Sequence, residues 1–262
     1  MKIKNNKNVN EFLQQNEDYL LKSESENNLI LGLANSLSKN ERLGDAQLFV
    51  TLKNEKNELI GQALRTDSHR PLILTKMKND TIEYLANNIN QKLDSLHGVV
   101  GPISSSDYFS NIWSNLKNVK VQTKMHHGIY ELKKVIFPQV EGQLVHAGIE
   151  HSDTLRQFMV GFIEDCFPDD KDEKLNLENS LKRNLARKSI YLWQDKFGEF
   201  VSMAANISES KNAASISWVY TPPKFRGNGY GSMVTAMVSN EMLKTGKEKC
   251  NLFTDLLNPI SN

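Results

Sequence analysis

Gly227, Gly229 and Gly231 stand at alternate positions behind a run of β-forming residues and directly ahead of a helix-periodic segment. The stretch 219–240 reads VYTPPKFRGNGYGSMVTAMVSN. Glycine lets the backbone approach a ligand closely and adopt conformations closed to other residues. A helix that begins at such a loop offers unpaired N–H donors and the positive end of its dipole. Together these suit a phosphate or pyrophosphate. A dinucleotide fingerprint needs G-x-G-x-x-G, but the sixth residue from Gly227 is Ser232. A phosphate loop of the Gly-Lys-Ser/Thr type needs a lysine, and Gly231-Ser232-Met233 has none. A glycine-rich turn with no ligand is the plain alternative.

Other reactive side chains are scattered. His69, His97, His126, His127, His146 and His151 lack metal-ligand spacing, and Cys166 and Cys250 are too far apart for a metal knuckle or a disulfide framework. No metal site is expected. Glu150, Glu164 and Asp165 are acidic groups that an acceptor amine could meet, but local acidity is usually solvation, and no general acid or base is assigned.

The elements that position the loop follow from periodicity. Apolar residues at helical spacing predict helices over 9–21 and 24–38, the second opened by a Ser23/Glu26 capping box. Strands are expected at 46–52, 58–65 and 71–74, a helix at 81–96 and a short buried strand at HGVVGP. A helix at 106–116 and one or two strands within 119–132 complete a first half. The second half predicts a strand at 143–150, helices at 154–166 and 174–187, and a charged loop at 168–173. A hairpin follows at 189–194 and 199–208, then the strand 215–220, the helix 230–244 and a last strand at 251–255. Both halves share an order: two helices, three strands, a helix, a strand. GPISS at 101–105 echoes NPISN at 258–262. The first half has KMKND where the second has its glycines, so only the second should hold a cofactor.

The chain has 262 residues and a formal net charge of +1, which excludes strong attraction to nucleic acid or an anionic membrane. The N-terminus lacks the apolar core of a signal peptide, and no run approaches a membrane span. A cytoplasmic protein is expected, with its oligomeric state open.

Arg226, Gly229 and Gly231, placed between a strand and a helix, together with CNLFTDLLNPISN at 250–262, resemble the acetyl-CoA-dependent N-acetyltransferases of the GNAT superfamily, in particular bacterial members. The resemblance implies a mixed α/β fold with two GNAT-like domains: a degenerate one over 1–137 and the N-acetyltransferase domain over 143–262. It implies a fourth and fifth strand that splay to admit the pantetheine arm of acetyl-CoA. Main-chain groups of Val219, Tyr220 and Thr221 would pair with that arm. Amides from Gly227 to Ser232 (Gly227, Asn228, Gly229, Tyr230, Gly231 and Ser232) would hold the pyrophosphate, Arg226 would belong to the cofactor-binding set, and Asn258 would contact the cofactor past the fifth strand. The acceptor would be a small-molecule or peptide amine, attacking directly with no covalent enzyme intermediate and with the carbonyl polarised by an N–H near Tyr220. The family pattern also places a helix and a catalytic tyrosine beyond Asn262; without that segment the fifth strand would show a bare edge. A non-catalytic CoA-binding or regulatory module shares the same motifs.

Overall fold

The computed structural model describes residues 1–39, 47–167 and 171–258. The chain divides into two units, Met1–His126 and His127–Asn262. The division falls before the last strand expected of the first half, not after residue 137.

The first unit runs β1 (Lys2–Asn5), α1 (Val9–Leu21), α2 (Asn28–Ser38), β2 (Leu48–Lys53), β3 (Leu59–Arg65), β4 (Leu72–Leu74), α3 (Asn79–Asn90), β5 (Val99–Val100) and α4 (Ile103–Lys117). Its sheet has the order β1-β2-β3-β4-β5, antiparallel up to β4 and parallel between β4 and β5. Asn8 caps α1 by accepting from the Glu11 amide at 3.0 Å. Alternation along the strands buries both faces. Phe49, Leu64 and Ile73 meet Phe12, Leu20, Leu31 and Ala34 of α1 and α2. Val50, Leu52, Ala63, Leu72 and Leu74 meet Ile82, Leu85, Ile89, Phe109 and Trp113 of α3 and α4.

Two readings change here. β1 was not expected, because its KIKN carries a single apolar residue and its pairing with β2 supplies the rest. The Ser23/Glu26 capping box does not open α2. Residues 22–27 form turns, α2 starts behind Asn27, and the Asn27 amide donates to Leu20 O at 2.9 Å. That side chain closes the corner between the two helices, so local capping chemistry gives way to a tertiary bond. Ala46 of the predicted strand lies outside the described residues.

The second unit runs β6 (His127–Leu132), β7 (Gln143–His146), α5 (Ser152–Cys166), α6 (Lys171–Ala186), β8 (Ile190–Gln194), β9 (Phe200–Glu209), β10 (Ala213–Tyr220), α7 (Tyr230–Lys244) and β11 (Lys249–Asp255). The sheet order is β6-β11-β10-β9-β8-β7. From β7 to β11 it repeats the first sheet: antiparallel neighbours, two helices between the first and second strands, and a helix joining a parallel last pair. α5 and α6 cover one face over Leu192, Met203 and Trp218. α7 covers the other over Trp193, Ala204 and Ile216. α6 begins at Lys171, inside the expected charged loop, of which residues 168–170 lie outside the described residues.

The edge of β11 is not bare. β6 pairs antiparallel with it from Leu132↔Cys250 to His127↔Asp255, satisfying main-chain groups that an edge strand would expose. The strand predicted within 119–132 thus belongs to the second sheet.

Between α1 and the first sheet lies a buried polar knot. The side-chain amides of Asn6 and Asn16 both donate to Thr51 Oγ1, at 2.9 and 2.7 Å, and Thr51 is fully buried. Thr51→Val keeps the volume and removes the shared acceptor. We expect it to lower stability by ~1–3 kcal/mol in chemical denaturation, the cost of weakening buried donors.

Candidate functional site

The parallel pair at the centre of the second sheet holds together only at its start. β10 and β11 pair from Ala213↔Lys249 to Ile216↔Leu252. β10 continues to Tyr220 and β11 to Asp255, so residues 217–220 and 253–255 run on without each other. On its other side β10 carries a bulge. Ser217 faces Ala205 and Tyr220 faces Met203, so Trp218 and Val219 share a single opposing residue. Trp218 has φ +54°, in the left-handed region. Such a conformation costs a β-carbon residue ~1–3 kcal/mol and persists where packing over-determines it. The indole is buried and lies 4.9 Å from the Phe162 ring, which supplies that packing. A bulge leaves main-chain groups outside the ladder and bends the strand away.

The chain then crosses Pro222 and a 3-10 turn over Pro223–Phe225 to reach the glycines. Gly227 has φ +82° and Gly229, the N-cap of α7, φ +76°. Gly231 is needed for a different reason: a β-carbon there would stand 3.2 Å from Thr221 Oγ1. Met233 N donates to Gly229 O at 2.9 Å, so the amides of Tyr230, Gly231 and Ser232 precede the first intrahelical bond. No side chain caps α7. The Asn228 amide turns inward, donating to Phe225 O at 3.0 Å, and residues 227–229 are exposed. The loop is therefore an open row of N–H donors at the positive end of a helix. Asn258 lies just past β11, its N–H held by Asp255 O at 2.9 Å.

The Arg226 side chain is engaged within the unit. Its Nε donates to Thr221 O at 3.0 Å, its terminal nitrogen pairs with Asp165 of α5, and its guanidinium lies 5.8 Å from the centre of the Tyr220 ring. The side chain ties the loop to α5 instead of reaching out from it. Tyr220 O and Thr221 O are likewise engaged, by Ser202 Oγ at 2.9 Å and by Arg226. A ligand that met those carbonyls would share them.

Beside Tyr220, on the α5 face, a cleft of about 470 Å³ opens, lined by Gln157, Phe158, Glu199, Phe200, Tyr220 and Phe225 among others. Lys224 Nζ and Glu199 Oε1 pair at 2.8 Å on its rim. Tyr220 belongs to that lining, and its ring packs on α5. It tilts against Phe158 at 6.0 Å, and its hydroxyl sits over Gly161, where a β-carbon would come within 2.2 Å of the oxygen. Gly161 lies inside α5 with no left-handed φ. A glycine there costs the helix ~0.5–1 kcal/mol relative to alanine, so its reason is the tyrosine.

The chain matches no family model and no curated protein. Solved structures do match it over its length. A GNAT-family acetyltransferase from Colwellia psychrerythraea covers 100% of this chain and 92% of its own, at 14% identity and a TM-score of 0.57. A Drosophila protein covers 98% and 90%, at 12% identity and a TM-score of 0.60. A GCN5-related N-acetyltransferase from Kribbella flavida covers 74% and 76%, at 11% identity and a TM-score of 0.50.

The chain has the GNAT fold. Within that fold the first unit has the topology without the loop. Its β4–α3 connection has no glycine, Met77 N donates to Ser105 Oγ at 3.1 Å, and the Met77 thioether packs where a β-carbon on Gly61 would lie. β4 and β5 pair over two residues, and only one residue of β4 runs beyond the pairing. The GPISS segment sits at this turn, while residues 259–262 of its echo lie outside the described residues.

Sequence reasoning named the loop but missed Ser202, Phe200 and Gly161. A glycine inside an otherwise helical pattern was the available signal for the last. Among the described residues no three His, Cys, Asp or Glu side chains gather in a metal-binding group, and no helix is long and apolar enough to cross a membrane. Glu150 lies beside His151, whose Nδ1 accepts from Gly148 N at 3.0 Å, and Asp165 pairs with Arg226.

Burial raises both thiols, Cys250 to about 11. The negative charge of Asp165 lifts Cys166 further, and Arg226 opposes it. Asp165→Asn removes the lifting charge and leaves the guanidinium. We expect the pH midpoint of Cys166 alkylation by iodoacetamide to fall, while Cys250 stays unlabelled below about pH 9. An unchanged midpoint would show that the Asp165–Arg226 contact does not reach the thiol.

Proposed function

We propose that this protein transfers the acetyl group of acetyl-CoA to a primary amine in a ternary complex. The observation that carries the proposal is the parting of β10 from β11 at the Trp218 bulge, directly ahead of the open amide row at the start of α7.

The pantetheine arm fits the gap as a strand-like ligand, meeting main-chain groups of Val219, Tyr220 and Thr221. The pyrophosphate fits the amides from Gly227 to Ser232, and Asn258 meets the cofactor past the end of β11. Arg226 acts here through its main chain, its side chain holding the loop to α5. A hydrogen bond to a charged group contributes ~1.5–3 kcal/mol, so about four amides suffice for micromolar affinity, ~8 kcal/mol. The bulge frees a main-chain N–H near the thioester carbonyl, where negative charge develops. The amine lone pair attacks the carbonyl carbon, and the C–S bond breaks. The sulfur leaves with the bonding pair and takes up the proton the amine loses, giving an N-acetyl amide and free CoA. The first unit, with Met77 packed at the equivalent turn, serves as a non-binding partner domain.

Isothermal titration with acetyl-CoA tests the cofactor claim, with a dissociation constant expected near the micromolar range and absence of binding at millimolar concentration sinking it. Gly229→Val, at φ +76° and with its β-carbon 3.1 Å from Val140, is expected to weaken binding at least tenfold, ~1.4 kcal/mol. Free-thiol release with an amine panel separates a transferase from a CoA-binding module, which would bind and release nothing.

A further inference from the structure

We infer, independently of acetyl transfer, that the core of the first unit is a binding site for one ordered water molecule, held between α1 and the sheet by Asn6, Asn16, Thr51 and Gln62.

Thr51 of β2, Gln62 of β3 and Thr75 just past β4 make a row across the first sheet, on the face that α1 and α2 cover. Thr51 stands opposite Gln62 in the ladder, and Thr75 N donates to Gln62 O at 3.1 Å. In the second unit the matching strands β8, β9 and β10 carry Leu192, Met203 and Tyr220 beneath their own helix pair, with Met203 opposite both of the others. An apolar row of that kind asks for no hydrogen bonds. The first unit has polar side chains instead, with Thr51 and Gln62 fully buried and Thr75 nearly so. Threonine is also smaller than leucine or tyrosine, so the row brings room as well as polarity. Buried polar groups are retained where each finds a partner.

Counting donors and acceptors identifies the ligand. Asn16 Nδ2 donates to Phe12 O at 2.8 Å and to Thr51 Oγ1 at 2.7 Å. Asn6 Nδ2 donates to Phe49 O at 3.1 Å and to the same Oγ1 at 2.9 Å. A main-chain carbonyl only accepts, so these bonds fix which end of each amide is nitrogen. Gln62 Oε1 accepts from the Thr75 hydroxyl at 3.2 Å. Asn6 Oδ1, Asn16 Oδ1 and Gln62 Nε2 are then buried without a partner among the described residues. The Thr51 hydroxyl, its oxygen already taken by both amides, still has its own hydrogen to give. Two acceptors and two donors thus remain around one threonine, and none of these side chains is charged. A cation could not accept from Gln62, and an anion could not donate to the asparagines. Water does both. It accepts from Gln62 Nε2 and the Thr51 hydroxyl and donates to Asn6 Oδ1 and Asn16 Oδ1, the full hydrogen-bonding capacity of a buried water. So bound, it ties α1 to both middle strands of the sheet.

A crystal structure of the full wild-type chain, at a resolution that shows ordered waters, is the first test. It is expected to show a single water within about 3.2 Å of Gln62 Nε2, Asn6 Oδ1 and Asn16 Oδ1. In solution, the Gln62 side-chain N–H should give a nuclear Overhauser contact to a long-lived water. Gln62→Met supplies the residue type that the second unit has in its row, and Asn16→Leu removes an acceptor from the other side of the water. A double-mutant cycle of the two in chemical denaturation is expected to give a coupling of about threefold or more in the unfolding equilibrium constant. Direct bonds between Gln62 Nε2 and the asparagine oxygens, with no water among them, overturn the inference. So does an ion or a larger molecule in that place, or additive variants together with no Overhauser contact. Where a variant fails to fold, the two wild-type measurements decide alone.

Discussion

The bulge at Trp218 is the constraint on which the rest of the second unit depends. A parallel pair with regular ladders on both sides would zip to its end, leaving no room between β10 and β11. Two residues of β10 opposite one of β9 break that regularity and turn the strand from its partner. The conformation costs energy that the strand alone cannot supply. It is held by burial of the indole under α5, against Phe162, and by Ser202 gripping the carbonyl two residues on. Opening the sheet is thus a property of the helix–sheet core, not of the strand.

The glycine loop depends on the same opening. Three glycines serve different needs: two take left-handed φ, and one lets α7 pass close to Thr221. The donors they expose face usefully outward only because β10 delivers the chain to that point. The first unit makes the comparison within one molecule. It shares the strand order, but β4 runs only one residue past its pairing with β5, and Met77 of its loop donates to Ser105 and packs against Gly61. Topology without the bulge and the glycines leaves a packed turn.

The place of Arg226 in the glycine motif was legible, but the partners of its side chain were not. The guanidinium links Thr221, Tyr220 and Asp165, joining loop and helix across 61 positions of sequence. Its neighbour in effect is Gly161, a helix-breaking residue tolerated because a ring needs the space. Together they pack against the Tyr220 side chain.

Periodicity alone determined most of the elements, the duplicated order and the loop, because amphipathic spacing and glycine chemistry are local. Helix α1 falls where the apolar repeat places it, and residues 227–229 lead directly into α7 at Tyr230. What the sequence could not decide is everything that needs a partner distant along the chain. β1 exists because β2 is there to pair with it, and β6 joins the second sheet because β11 offers an edge. The Ser23 capping box yields to an Asn27 bond that no local rule contains. The cleft, the seat of Tyr220 and the parting of the strands arise only when α5, β9 and β10 pack together, since shape and strain belong to the assembled core and not to any one segment.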